Sequence, residues 1–193
     1  MADRCWESSD QIYNAYHDEE WGRPVLEERG LYERLCLEGF QSGLSWLTIL
    51  RKREGFRTAF AGFDPEQVAR FGERDVERLL ADAGIVRHRG KIEAAIANAR
   101  ATLALRETET PLQVLVWSHG AKKEGRAPQS AADWRSTTPE SIALAKALRQ
   151  AGFRFVGPTT VYATMQACGV VNDHLAGCWV RPEVEALSSP VDG

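Results

Sequence analysis

The chain has 193 residues, 44% hydrophobic and 26% charged, with a formal net charge of −3. That size and balance suit one globular domain, or two small lobes, with a sizeable core. No window approaches the about 20 apolar residues of a membrane span, the N-terminus lacks the basic-then-apolar profile of a signal peptide, and nucleic-acid binding would need a local basic face. A cytoplasmic protein is the expectation, and there four cysteines favour free thiols or metal ligands over disulfides.

Almost every segment reads as helix, and no stretch alternates like a strand. Residues 10–18 place Ile12, Tyr13 and Tyr16 at helical spacing behind Ser9 and Asp10, until Trp21-Gly22-Arg23-Pro24 breaks the pattern. The spacing resumes over 28–38 through Leu31, Leu35 and Leu37, and Gly39 and Gly43 interrupt it. A helix through Leu44, Leu47 and Leu50 is expected to end among Arg51, Lys52 and Arg53, where cations suit a C-terminus. Asp64-Pro65 caps the next turn. Helices follow over 74–83, stopped by Gly84, and over 89–105, built on Ile92, Ile96 and Leu103. Residues 111–117 form a short apolar helix, and 118–136 read as a long surface loop. Thr138-Pro139 starts a helix to Gln150, and Pro158 starts another ending before Gly169. After Pro182 the tail, 183–193, reads as disordered. The fold class is all-α, roughly ten helices within 1–182. The terminal segments are expected to make one lobe and about 60–150 the other.

Three groups of residues carry candidate chemistry. Glu38 follows an apolar helix directly, two glycines bracket small polar residues at 39–43, and Trp46 lies just beyond, with Trp6, Tyr13, Tyr16 and Trp21 upstream. Aromatic faces and one buried acid can hold an extruded base, by stacking and by accepting its N–H donors; the alternative is core aromatics and a surface acid. His174 and Cys178, four apart, share a face if helical, and Cys5 and His17 supply the rest of a closed Cys2His2 set. The Cys-x11-His spacing is not that of a standard finger, so His17 at the surface and Cys178 as a small buried residue remain the alternative. Helix 139–150, turn 152–158 and helix 159–168 make a helix–hairpin–helix. Gly152 and Gly157 allow a tight turn, and the amides opening the second helix, with Thr159 and Thr160, can grip a backbone phosphate. A second, more basic helical corner sits at 84–91.

Taken together these strings resemble the 3-methyladenine DNA glycosylase I family of bacterial alkylation-repair enzymes. The resemblance runs from Arg4 to about Pro182. It rests on Tyr16-His17-Asp18-x-x-Trp21-Gly22, Leu37-Glu38-Gly39, Gln41-x-Gly43-Leu44-Ser45-Trp46, Asp82-Ala83-Gly84-Ile85-x-Arg87-His88-Arg89-Gly90-Lys91, Gly152-Phe153-x-Phe155-Val156-Gly157 and Met165-Gln166-Ala167-Cys168-Gly169-x-Val171-Asn172-Asp173-His174. It implies a two-lobed helix–hairpin–helix glycosylase with one structural zinc ion on Cys5, His17, His174 and Cys178. It also implies a base pocket of Glu38, Tyr16 and Trp46, edged by Tyr13 and Trp6. The hairpin at Gly157, Thr159 and Thr160 would clamp DNA, and Leu44 would plug the gap left by the flipped base. The expected activity is monofunctional release of 3-methyladenine from double-stranded DNA by a monomer. Asp173, beside a zinc ligand, is a weak candidate for a catalytic base. The competing reading is a zinc-stapled module that binds lesions without cutting; Glu38, Tyr16 and Trp46 argue against it, since a clamp alone needs no base pocket.

Overall fold

The structure, a computed structural model, describes residues 3–120 and 126–187. Among them are ten α-helices, two 3-10 turns and no strand; the one β pairing is a bridge between Asp3 and Cys178. No helix is long and apolar enough to cross a membrane.

The organising element is α2 (Glu28–Gln41). From Leu31 to Phe40 every residue but Glu33 is buried. A helix apolar nearly all round belongs inside, with neighbours on several sides. Packed against it are α3 (Trp46–Ala59), α6 (Arg89–Arg106), α7 (Leu112–Trp117) and α9 (Pro158–Ala167). α1 (Gln11–Glu19), capped by Asp10, lies on α3. α4 (Pro65–Val68) and α5 (Glu73–Ala81) pack on α6, and α8 (Pro139–Gln150) packs on α9.

Three expected boundaries are corrected. Gly39 does not interrupt α2, which continues to Gln41. The glycine admits a neighbour instead: a Cβ there would lie 3.3 Å from Phe155 Cβ. α3 does not end at its basic run but continues to Ala59. Its arginines are partnered from the side, Arg51 by Asp10, Arg53 by Glu20 and Arg57 by Glu33. The chain after Pro182 is not irregular throughout, for Arg181–Leu187 form α10 with Val184 fully buried. Residues 188–193 lie outside the described residues, as do 121–125 of the expected 118–136 loop. The described end of that loop is docked, since Trp134 Nε1 donates to Asp173 O at 2.9 Å and Ala176 N to Pro128 O at 2.8 Å.

The 152–157 turn between α8 and α9 makes its sharp bends at Gly152, φ 98°, and Phe155, φ 55°. Gly157 bends nothing: its φ is −67°, and a Cβ there would meet no atom within 4 Å. Asn98 of α6 holds the turn in place. Its Oδ1 accepts from Arg154 N at 2.7 Å and its Nδ2 donates to Arg154 O at 3.2 Å. Asn98→Ala leaves both backbone groups unpaired and is expected to cost about 1–3 kcal/mol. A lowered urea midpoint with unchanged helical circular dichroism is the expected reading.

Candidate active site and metal centre

Glu38 lies within α2, not after it, and is buried. No donor among the described residues bonds its carboxylate. Burial pushes its pKa up to about 8, against a partial downward pull from Arg34. Tyr13 and Tyr16, one turn apart on α1, both feel the Glu38 charge, and burial raises both phenols. Tyr16 packs against Trp46, the first residue of α3, with ring centroids 5.4 Å apart. Trp6 lies 5.2 Å from Tyr13 and extends the aromatic wall. The indole N–H groups of Trp46 and Trp6 are buried without a partner. Glu38 therefore acts on two phenols, each packed against a tryptophan whose indole N–H is unbonded. Unmet polar groups in such an aromatic cluster are what a planar, hydrogen-bonding ligand would satisfy.

Leu44 is 43% exposed in the turn from α2 to α3, beyond Gly43 at φ 80°. Its exposure leaves it free to enter a partner. Thr159 is exposed and Thr160 half-buried in the first turn of α9, where amides lack helical acceptors. The open space in front of Gly157 lets a ligand approach that end of the helix.

Cys5, His17, His174 and Cys178 are all buried, with one donor atom from each lying within 4.8 Å of the others. The stretch holding His174 and Cys178 is irregular, not helical; the Asp3–Cys178 bridge brings its end to the N-terminus. Cys5 Sγ lies 3.4 Å from His174 Nδ1, and Cys178 Sγ lies 3.5 Å from both His174 Nδ1 and His17 Nε2. The far ring nitrogens are engaged. His17 Nδ1 donates to Asp18 Oδ1 at 2.9 Å, and His174 Nε2 to Trp21 O at 2.9 Å. Those bonds leave the inner nitrogen of each imidazole without a proton: His174 Nδ1 faces both sulfurs, and His17 Nε2 faces Cys178 Sγ while accepting from Cys5 N at 3.2 Å. Arg4 in turn holds Asp18. Burial pushes the Cys5 thiol up to about 12 and draws His174 down to about 4. The donor set fits a metal ion that favours nitrogen and sulfur.

Asp173 does not face the aromatic recess through its bonds. Its Oδ2 accepts from Tyr162 Oη at 2.6 Å and from Gln166 Nε2 at 2.7 Å, which fixes the loop before His174 onto α9. The 84–91 corner is occupied internally as well. His88 caps α6, Arg89 pairs with Glu73, and the buried Lys91 donates to Phe40 O and Ser42 O at the end of α2. The sequence reading missed Arg34, Glu20, Arg53 and Cys168. The one available signal was an arginine inside the apolar run 31–37, four residues before Glu38.

The chain matches the methyladenine glycosylase family over residues 6–181. It is 50% identical over 182 residues to DNA-3-methyladenine glycosylase 1 of Escherichia coli K12, covering 93% of this chain and 97% of that protein. A crystal structure of 3-methyladenine DNA glycosylase I superposes with a TM-score of 0.90 at 50% identity, covering 93% of this chain and all of that one. A second, of a variant in complex with 3-methyladenine, superposes at 0.89 with 34% identity, covering 94% of this chain and 98% of that one. The chain is all-helical among its described residues and belongs to the methyladenine glycosylase family.

Glu38 also has a cost in stability, and its sign follows from ionisation. Below its ordinary value of 4.5 the carboxyl is protonated in both folded and unfolded chains and costs nothing. Between there and about 8 only the unfolded chain ionises, so the folded state loses ground as pH rises. Glu38→Gln is expected to stabilise the protein by a few kcal/mol at pH 9 and by much less at pH 5, measured by denaturant melts at both.

Proposed function

We propose that this protein excises 3-methyladenine from alkylated double-stranded DNA as a monofunctional glycosylase in base-excision repair. The observation that carries the reading is the buried, unbonded Glu38 carboxyl beside Tyr16 and Trp46 in a chain of this family. The damaged nucleotide is extruded, at a cost of a few kcal/mol. Its base stacks on Trp46 and Tyr16, with Tyr13 and Trp6 at the edge. Methylation at N3 makes the base cationic, so it is already a good leaving group. Its charge favours ionised Glu38, which accepts the base's N–H donors. Water adds to C1′ and gives its proton to solvent. The C1′–N9 electron pair leaves with the base and neutralises it, and an abasic site remains. Stabilising the transition state, in which positive charge passes from the base to the sugar, more than the ground state supplies the acceleration. Lys91, the buried lysine beside the end of α2, is taken up by two carbonyls, which supports a hydrolytic route with no covalent amine step.

In the same reading the 152–160 hairpin holds the phosphate backbone through Gly157, Thr159 and Thr160, and Leu44 fills the gap in the duplex. The terminal segments form one lobe and about 60–150 the other. The protein acts as a monomer in the bacterial cytoplasm. Cys5, His17, His174 and Cys178 would hold a structural zinc ion. The sulfur-to-nitrogen separations of 3.4 and 3.5 Å are close to the about 3.6 Å edge of a tetrahedron with ordinary zinc bond lengths. Four protein ligands leave no open position, so the ion's chemistry is that of a cross-link.

The decisive experiment incubates the purified chain with methylated duplex DNA and identifies the released bases. Release of 3-methyladenine is expected, with kcat/KM rising with pH up to about 8 as Glu38 ionises. Glu38→Ala should lower the rate about 100-fold; unchanged release would remove Glu38 from the mechanism. For the metal, elemental analysis should find one zinc per chain, lost in Cys178→Ser together with stability. Full zinc content in that variant would refute the cross-link.

A further inference from the structure

Arg34 is a buried cation that the base pocket, as described so far, does not use. It lies on α2 one turn before Glu38, so the two side chains share a helix face. Its guanidinium carbon sits 5.7 Å from the centroid of the Tyr16 ring. Nη2 donates to Glu20 Oε2 at 2.6 Å, and Nη1 is buried without a partner. Glu20 is not held by Arg34 alone, because Arg53 donates to both of its oxygens, at 2.6 and 2.8 Å. Two guanidinium groups around one carboxylate leave one positive charge in excess. Glu38 is the only buried acid among the described residues.

Resting on the excision reading above, we propose that Arg34 is a positioning residue for the pocket: fixed by Glu20, it backs the Tyr16 ring and serves as counter-charge to the Glu38 carboxylate. The groups that face Glu38 leave no other candidate. Tyr13 and Tyr16 on α1, Cys168 at the end of α9 and Arg34 on α2 itself each interact with Glu38 through charge. Burial raises both phenols and pushes the Cys168 thiol up to about 12, so these three stay neutral where the enzyme works. Lys91 on α6 is turned to the carbonyls of Phe40 and Ser42. Arg34 is thus the one charge that opposes the effect of burial on Glu38. Without it, Glu38 would ionise only at still higher pH, and the Tyr16 ring would lose its backing. Glu20 would keep Arg53, so the substitution leaves that acid paired and Glu38 alone without its counter-charge.

The test is the pH profile of kcat/KM for 3-methyladenine release from methylated duplex DNA, for the wild type, Arg34→Met and Arg34→Lys. Methionine keeps an unbranched stem under Tyr16 without the charge. The expected result for Arg34→Met is an ionisation limb moved up by about one pH unit or more, hence about tenfold slower release at neutral pH, recovered above the limb. Arg34→Lys should keep its limb near the wild-type position, and it carries the test alone if Arg34→Met does not fold. A limb that stays put in Arg34→Met, or rises in Arg34→Lys, overturns the proposal. So does a loss equal at every pH in both variants, which would mark a merely structural residue. No release by the wild type would sink the excision reading itself, and this inference with it.

Discussion

A helix buried along its length must find a partner for every polar group it carries, and that constraint on α2 governs the molecule. Its backbone bonds itself, and its apolar side chains are covered by α3, α6, α7 and α9. Two charged side chains, Arg34 and Glu38, are left to place inside the protein. Arg34 receives an acid from the end of α1, shared with an arginine of α3. Glu38 receives aromatic neighbours and no hydrogen-bond donor. Burial of an ionisable group without a bonded partner is costly, and here the cost falls where a cationic ligand would relieve it. On the proposed function, the instability and the binding specificity would be two effects of one carboxyl.

The thiol–imidazole cluster is physically continuous with this recess. Trp21 contacts His174 at 4.6 Å, Trp6 contacts Trp21 at 4.9 Å and His17 at 4.6 Å, and Trp6 then meets Tyr13. His17 follows Tyr16 directly on α1. A metal ion bound at the cluster would therefore fix the rotation of the helix that presents both tyrosines. Gly22 and Gly169 tighten the same seam. A Cβ on Gly169 would lie 2.5 Å from Gly22 O, and one on Gly22 2.9 Å from His174 Nε2.

The helical architecture could be read largely from spacing and caps: Asp10, Asp64 and Thr138 each accept from the first turn of the helix they precede. Two of the three boundary errors share one cause. Gly39 and the basic run of α3 look like terminators only while their neighbours are unknown; Phe155 and three acids from elsewhere make them interior. Glu38 and Trp46 stand out as candidates because an acid and an aromatic flank flexible glycines, and the structure packs Tyr16 on Trp46 within the influence of Glu38. The Glu20–Arg34–Arg53 cluster could not, since its members come from three helices and each alone reads as a surface charge. Gly157 was assigned a turning role that belongs to Phe155, because a phenylalanine at φ 55° carries no signature in composition.

The Cys5–His174 contact joins residues 169 positions apart. A chain made from its N-terminus cannot form that contact until nearly all of it has left the ribosome. Until then α1 is held only by its packing on α3 and by the Asp10–Arg51 and Glu20–Arg34–Arg53 ion pairs. Closing so long a loop carries its entropic cost at the end of synthesis, after the central helices have had time to pack. The nascent protein would therefore acquire its core before it acquires the thiol–imidazole cluster.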